Sequence, residues 1–251
     1  MNNKTNRKTE SGVSIRVEMI RQLTLVLLLA AELIIFAFMT QNFFTTSNMI
    51  NVLRQVSITG ISSLGMFMII LLGDIDLSVG SMYAFIGVIS AIVFKTTERT
   101  CLTLIVALAL GIAIGLFNGI FTAKFRVPAF ITTLATMSIC RGFAYIITGG
   151  SPIGVTNPKF TFLGTGYVFN LIPLPVIFMI IVLILGMILV KHTRFGRYIY
   201  SCGGNAQAAK WSGINVDKIR ITVYVIAGFL NGFAAIILAG RLGGGVTGKS
   251  G

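Results

Sequence analysis

Long apolar runs separated by short polar stretches dominate the pattern along the chain. Residues 23–39 and 174–190, for example, contain at most one charged side chain each. A helix needs about 20 mostly apolar residues to cross the roughly 30 Å of a bilayer core. The segments that approach this length lie near residues 22–40, 50–72, 77–94, 101–123, 129–147, 173–190 and 219–240. The pattern predicts an all-α polytopic membrane protein with about seven transmembrane helices.

These spans divide the chain into an N-terminal tail (1–21), a transmembrane domain (22–240) with one large polar loop (191–219), and a Gly-rich tail (241–251). Composition agrees with this division, because 55% of the residues are apolar and only 11% are charged. A soluble domain needs more polar surface. Bulky residues follow the first run where a signal peptide would have a small-residue cleavage site, so we expect a retained span.

Basic residues are distributed unevenly between the two sides of this topology. The formal net charge is +13. Five Lys and Arg precede the first span, two follow the fourth and six lie between the sixth and seventh, all on one side. In a soluble protein such a charge would suggest nucleic acid, but in a membrane protein the side rich in Lys and Arg faces the cytoplasm. We therefore expect a cytoplasmic N-terminus, a lipid bilayer around the spans and no nucleic-acid partner.

The tail GGGVTGKSG fits a nucleotide-binding pattern, G-x-x-x-x-G-K-[ST], at Gly243, Gly248, Lys249 and Ser250. Such a loop needs a strand before it and a helix after it. Here a membrane helix is predicted before the loop, and only Gly251 follows Ser250. We therefore expect no nucleotide site.

Small residues recur at intervals of four in the fourth span. One face of this helix would carry Ala107, Gly111, Gly115, Gly119 and Ala123. Ridges of this kind let helix backbones approach closely in lipid, so they predict helix packing, with a dedicated dimer face as the alternative. Asn118 lies beside the ridge and would either bond a neighbouring helix or line a path.

The stretch GDIDLSVGSM, residues 73–82, predicts a broken helix near residues 73–76. Gly73 can end one helix, and Asp76 or Ser78 can cap the next. Asp74 and Asp76 then lie at a break that protein or water must surround. One interpretation is a proton or cation site of a secondary transporter or ion channel. The other is that Asp76 is a cap and Asp74 reaches cytoplasmic water.

Three stretches together resemble ribose-type sugar permeases, the membrane subunits of bacterial ABC importers. Residues 73–82 resemble the IDLSVG signature, and residues 115–153 resemble the N-G, P-x-F-I-x-T-L and M-x-x-x-R-G elements. Residues 193–220 resemble the F-G-R-Y-x-Y-x-x-G-G-N-x-x-A-A-x-x-S-G-I loop. The resemblance covers about residues 42–240. The residues that it and the helix break suggest for a translocation pathway are Asp74, Asp76, Ser78, Asn118 and Arg141.

The resemblance implies an importer subunit for a simple, ribose-like sugar in the bacterial cytoplasmic (inner) membrane. It implies three protein partners: a separate ABC ATPase that hydrolyses ATP, a second permease copy in a homo- or heterodimer, and an extracytoplasmic sugar-binding protein. A membrane-bound enzyme or scaffold is a further class, but no catalytic set supports it. Cys101, Cys140 and Cys202 lack metal-ligand spacing, so we expect free thiols, no metal and no cofactor.

A short helix is predicted in the polar loop. Gly203 and Gly204 permit a turn, Asn205 is a good N-cap and Gly213 can end the helix. The resemblance implies a cytoplasmic coupling-type helix that docks on the ATPase. Its docking residues would be Gly203, Gly204, Asn205, Ala208, Ala209, Ser212 and Gly213. The alternative is a connector on the lipid headgroups, anchored by Lys210 and Trp211.

Arg141 lies near the middle of the fifth predicted span. A charge at this depth should face a helix partner or a watery cavity, and an ion pair with Glu32 of the first span would satisfy both side chains. Members of the family that this sequence resembles continue beyond the equivalent of Gly240 with further spans. We therefore expect a fragment or early-terminated permease, which inserts in the membrane but does not transport alone.

Overall fold

The computed structural model describes residues 23–24, 26–40, 43–169 and 171–245, in two compact units, Met1–Val52 and Leu53–Gly251. The described helices are α1 (Val26–Met39), α2 (Thr46–Leu71), α3 (Val79–Thr97), α4 (Thr100–Ala123), α5 (Ala129–Thr148), α6 (Pro158–Thr165), α7 (Leu174–His192), α8 (Arg194–Gly204), α9 (Ala206–Trp211) and α10 (Val216–Leu242). The described strands are β1 (Ile153–Gly154), β2 (Tyr167–Val168), β3 (Ile172–Pro173) and β4 (Gly244–Gly245).

Six of these helices are long and apolar enough to cross a membrane: α2, α3, α4, α5, α7 and α10. Each overlaps a predicted span, which confirms the prediction of an all-α polytopic membrane protein. The first predicted span contains α1, which is apolar but shorter within the described residues. In the unit Met1–Val52, α1 exposes most of its apolar side chains as well as Glu32.

The ridge of small residues on α4 packs against α10. A Cβ atom added at Gly111 would lie 2.3 Å from the carbonyl oxygen of Gly228, and one added at Gly115 would lie 2.3 Å from that of Tyr224. Gly119 faces Ile221 in the same way. The prediction of helix packing is therefore confirmed, and the partner helix lies in the same chain. On α10 the matching small residues are Gly228 and Gly232.

Helix α10 is the most buried of the six candidate spans. One apolar cluster joins it to α2, α7, α8 and α9, and includes Ile61, Ile199 and Val223. A second joins it to α3, α4 and α5 through Met82, Cys140 and Ile236. Asn231 is also buried, 2% exposed, with its Nδ2 4.0 Å from the sulfur of Met82. Asn231 therefore faces α3.

The unit Leu53–Gly251 has two chemically different ends. One end, here called the basic end, comprises the end of α2, the start of α3, the α4–α5 connection, α8, α9 and the start of α10. Its cations are Lys124, Arg126, Lys191, Arg194, Arg197, Lys210, Lys218 and Arg220. The opposite end carries α6 and two small antiparallel sheets, in which β1 pairs with β4 and β2 pairs with β3. The opposite end carries Arg54, Lys95, Arg99, Lys159 and Arg241, so the basic end has an excess of cations in the direction that the predicted topology requires.

The glycine-rich segment follows directly after a helix, α10, as predicted, and not after a strand. Gly243 ends α10 with a left-handed φ of 68°, and Gly244 and Gly245 then pair with β1. Gly248, Lys249 and Ser250, the remaining positions of the nucleotide-binding pattern, lie outside the described residues. A nucleotide-binding loop requires a strand before it, but the element before Gly243 is a helix of 27 residues. This argues against a nucleotide-binding loop at this site.

Candidate functional site

The connection between α2 and α3 is the break that the sequence predicts. Helix α2 ends at Leu71, and Gly73 has a left-handed φ of 79°. The N–H groups of Gly73 and Asp74 donate to the carbonyls of Ile70 and Ile69, at 2.9 and 3.2 Å. Gly73 therefore closes α2 as predicted, because glycine adopts this conformation without a steric cost.

Asp76 is buried in this connection and bonds to the start of α3. Its Oδ1 accepts from the backbone N–H of Ser78 at 2.8 Å and from the Ser78 hydroxyl at 2.6 Å. Asp76 is 4% exposed and Ser78 is fully buried. Burial raises the pKa of Asp76, and the two bonds from Ser78 oppose this shift. Ser78 holds the N-cap position, but its hydroxyl bonds Asp76 and not the helix backbone.

Asn118 extends this contact to two further helices. Its Nδ2 donates to the Ser78 hydroxyl at 3.3 Å, and its Oδ1 accepts from the Thr136 hydroxyl at 2.6 Å. The hydroxyl of Thr133, one turn before Thr136 on α5, lies 2.9 Å from the carbonyl oxygen of Ala129 in its own helix and 3.3 Å from that of Ile75 in the break. The break, α4 and α5 are thus joined by buried hydrogen bonds. Of the two alternatives for Asn118, the structure supports bonding to a neighbouring helix.

Asp74 has a different partner from Asp76. Its Oδ2 lies 3.2 Å from the Nε of Arg220, an ion pair that lacks the alignment of a hydrogen bond. The Tyr224 hydroxyl donates to the same oxygen at 3.4 Å. Burial raises the pKa of Asp74, whereas the Arg220 charge and the Tyr224 bond oppose the shift. Asp74 therefore does not simply reach water. In the sequence Arg220 counts only as one of the loop cations, because no local signal identifies Asp74 as its partner.

Arg141 lies apart from the other candidate pathway residues. It is exposed on α5, and its neighbours on the same helical face, Ser138 and Tyr145, are exposed as well. The structure therefore brings Asp76, Ser78 and Asn118 together, pairs the nearby Asp74 with Arg220 of α10, and leaves Arg141 on an open surface of this unit.

The predicted short helix is α9, and its ends are as expected. The Asn205 side chain accepts from the backbone N–H of Ala208 at 2.9 Å, and Gly213 follows the helix with a left-handed φ of 83°. Gly203 and Gly204 do not form a turn, however, because they are the last residues of α8. A Cβ at Gly203 would lie 1.7 Å from the Leu71 carbonyl oxygen, so a close approach to α2 requires this glycine.

The candidate docking residues do not all face outward. Gly203, Gly204, Asn205, Ala208, Ser212 and Gly213 are exposed. Ala209 is 4% exposed and packs in the apolar cluster with Ile199 and Ile219. A charged substitution at Ala209 would therefore disturb this cluster as well as any docking surface. Beside α9 lies an open depression of about 450 Å³, with Arg126, Lys210 and Asp217 in its lining.

The side chains that can bind metal ions or react as thiols are dispersed in the part of the chain that the structure describes. No group of three or more His, Cys, Asp and Glu side chains there is placed to hold a metal ion. Cys101, Cys140 and Cys202 are free thiols, the first exposed and the other two buried.

Comparison with known proteins gives a consistent result. The ribose import permease protein RbsC of Haemophilus influenzae is 40% identical over 205 residues, which are 80% of this chain and 63% of that protein. RbsC of Escherichia coli K12 is 41% identical over 208 residues, 81% of this chain and 64% of that protein. The L-arabinose transport system permease protein AraH of the same strain is 38% identical over 206 residues, 82% and 62% of the two chains. The chain thus spans less than two thirds of the length of these relatives.

No solved structure was found to match the chain. One family model matches residues 48–247, which include the α2–α3 break, α9 and all of α10. That family is described as branched-chain amino acid transport system / permease component. Since the match covers most of the chain, and since relatives near 40% identity are themselves permeases, the chain belongs to this family of transport-system permease components.

Proposed function

We propose that this protein is the membrane-spanning subunit of an ATP-binding-cassette importer for a simple, ribose-like sugar. The observation that carries the proposal is the family match over residues 48–247, together with about 40% identity to ribose import permeases. The transmembrane domain, residues 22–240, would form part of the translocation pathway. ATP would be hydrolysed on a partner chain, and no reaction is assigned to this one.

The proposed contact with the ATPase is the exposed side of α9. Trp211 is 79% exposed at the basic end, and Ala208 is exposed on the same short helix. The depression beside α9 offers both charge signs, through Arg126, Lys210 and Asp217. A large aromatic side chain that is exposed next to such a depression is the kind of anchor that protein interfaces use.

The proposed orientation places the basic end and the loop 191–219 in the bacterial cytoplasm. The support is the larger number of described cations at that end than at the opposite end, since cytoplasmic loops of membrane proteins are rich in Lys and Arg. The N-terminus would then be cytoplasmic, and α6 with the small sheets would face the extracytoplasmic sugar-binding protein.

The proposed pathway lies between this chain and a second permease copy. Arg141 is exposed near the middle of α5, with the exposed polar groups of Ser138 and Tyr145 close by on the same face. A guanidinium at this depth must face protein or water, because exposure to hydrocarbon costs several kcal/mol. The second copy and a water-filled path between the two copies would satisfy that requirement.

The test is sugar uptake by membrane vesicles that contain this permease with its ATPase and binding protein. We expect ribose uptake that requires ATP and persists when a protonophore removes the proton gradient. Trp211→Asp should abolish co-purification of the ATPase, whereas Phe169→Asp should not, since Phe169 is 94% exposed at the opposite end. Uptake that collapses with the proton gradient while ATP is plentiful would contradict the proposal and favour the ion-coupled alternative.

A further inference from the structure

The short helix α9 shares an apolar cluster with the residue that begins the α2–α3 break. Ala209 of α9 belongs to the same apolar cluster as Leu72, the first residue after α2. Gly203 of α8 leaves no room for a side chain against the carbonyl of Leu71. Close-packed contacts of this kind do not deform gradually. A displacement of α9 must therefore reach the end of α2.

A second connection runs through the first turns of α10. This helix starts at Val216, soon after α9 ends, and presents Arg220 and Tyr224 one turn apart. Both side chains contact the same oxygen of Asp74, at 3.2 and 3.4 Å. The side chains of Arg220 and Asp74 are only 24% and 12% exposed. Separating them would leave two poorly solvated charges, which is more costly than separating an exposed pair.

The break continues into the helices next to it. Two residues after Asp74, the Asp76 carboxylate accepts a hydrogen bond from the Ser78 hydroxyl. Asn118 donates to the same hydroxyl and accepts from Thr136. These groups belong to the start of α3, to α4 and to α5. A shift of the break would therefore change the hydrogen bonds of three spanning helices, among them α5, which carries Arg141.

From these contacts we propose that Asp74 and Arg220 are positioning residues for transport: the pair transmits the displacement of α9 and α10 to the α2–α3 break, and through it to α3, α4 and α5. This inference rests on the proposed function, in which an ATPase moves α9. It gives Asp74 a role as a fixed partner of Arg220. That role differs from a proton or cation site, for which the carboxylate would have to exchange its counter-charge during transport.

A neighbouring charge on α10 provides a matched control. Lys218 lies on the same helical turn as Arg220, but it is exposed and forms no ion pair with another residue in the described ranges. Replacing it changes the charge of the basic end without touching the break. It therefore separates an effect of the Asp74–Arg220 contact from a general effect of surface charge.

The experiment measures sugar transported per ATP hydrolysed, in proteoliposomes with the assembled transporter and its binding protein. Asp74→Asn and Arg220→Gln should each lower this ratio by roughly 2- to 30-fold, the range found for residues that couple distant sites. Co-purification of the ATPase should stay at the wild-type level. Lys218→Gln should leave the ratio unchanged, and the charge swap Asp74→Arg/Arg220→Asp should restore at least half of it.

Wild-type ratios in both single variants would overturn the proposal, and so would a swap that is as impaired as the single variants. Arg220→Lys keeps the charge and provides a second test if a neutral variant does not fold, because it should retain at least half of the wild-type ratio. Loss of the ratio in Arg220→Lys at normal folding would also count against an ion pair as the essential contact. Failure of the wild-type transporter to use ATP would instead refute the proposed function.

Discussion

Gly115 on α4 lies so close to the backbone of α10 that an added methyl group should force the two helices apart. A Cβ at this position would lie 2.3 Å from the Tyr224 carbonyl oxygen and 3.1 Å from the Cα of Gly228. Ordinary van der Waals contact begins near 3.4 Å. Gly115→Ala therefore requires a local separation of about 1 Å, at which each affected atom pair loses a quarter to a half of its attraction.

The expected cost follows from two opposing effects. Overpacking at a close-packed contact costs about 1–3 kcal/mol, and alanine recovers up to about 1 kcal/mol through its higher helix propensity. The clashing atom is a backbone carbonyl that cannot rotate away, so the upper part of the overpacking range applies, about 2–3 kcal/mol. After the gain in helix propensity, we expect Gly115→Ala to lower the free energy of unfolding by about 1–2 kcal/mol. For a protein of this size, such a change lowers the Tm by about 2–8 °C.

The assay is thermal unfolding of the purified protein in detergent, followed by circular dichroism. Gly228→Ala should behave like Gly115→Ala, because its Cβ would lie 2.3 Å from the Gly111 carbonyl oxygen on the other side of the same contact. Gly80→Ala is the control, since nothing lies within 4 Å of a Cβ there. The packing argument fails if Gly115→Ala and Gly228→Ala unfold at or above the wild-type temperature.

Two further predictions concern the buried hydrogen bonds and the orientation. Asn118→Leu should lower the free energy of unfolding by about 1–3 kcal/mol, because the buried Thr136 hydroxyl loses its acceptor. The control Ser138→Ala, on the exposed face of α5, should change the free energy of unfolding little. Equal Tm values for the two variants would contradict the bonding described for Asn118. Cys101 is exposed, whereas Cys202 is buried and its burial raises the pKa of the Cys202 thiol. A membrane-impermeant maleimide added to intact cells should therefore label Cys101 and leave Cys202 unmodified. Labelling of Cys101 only after the membrane is opened would reverse the proposed topology.

The local features of the fold were predictable because they depend on neighbouring residues. Hydropathy over about 20 residues located the six long helices. The Asn205 cap and Gly213 delimited α9, and Gly73 located the end of α2. Each of these signals depends only on residues that are close together in the sequence. The spacing of small residues on α4 likewise predicted a close helix contact, although not the partner.

Features that join distant parts of the chain were decided by the tertiary structure. The partner of the α4 ridge is α10, where Gly228 and Gly232 provide the matching surface. Asp74 contacts Tyr224, which is 150 residues away in the sequence, and Ala209 turns inward although its neighbours on α9 are exposed. Hydropathy and capping describe how each segment forms its own backbone hydrogen bonds and whether its surface suits the lipid. They contain no information on which faces meet, because that choice depends on the shape and charge of surfaces that only come together when the helices pack.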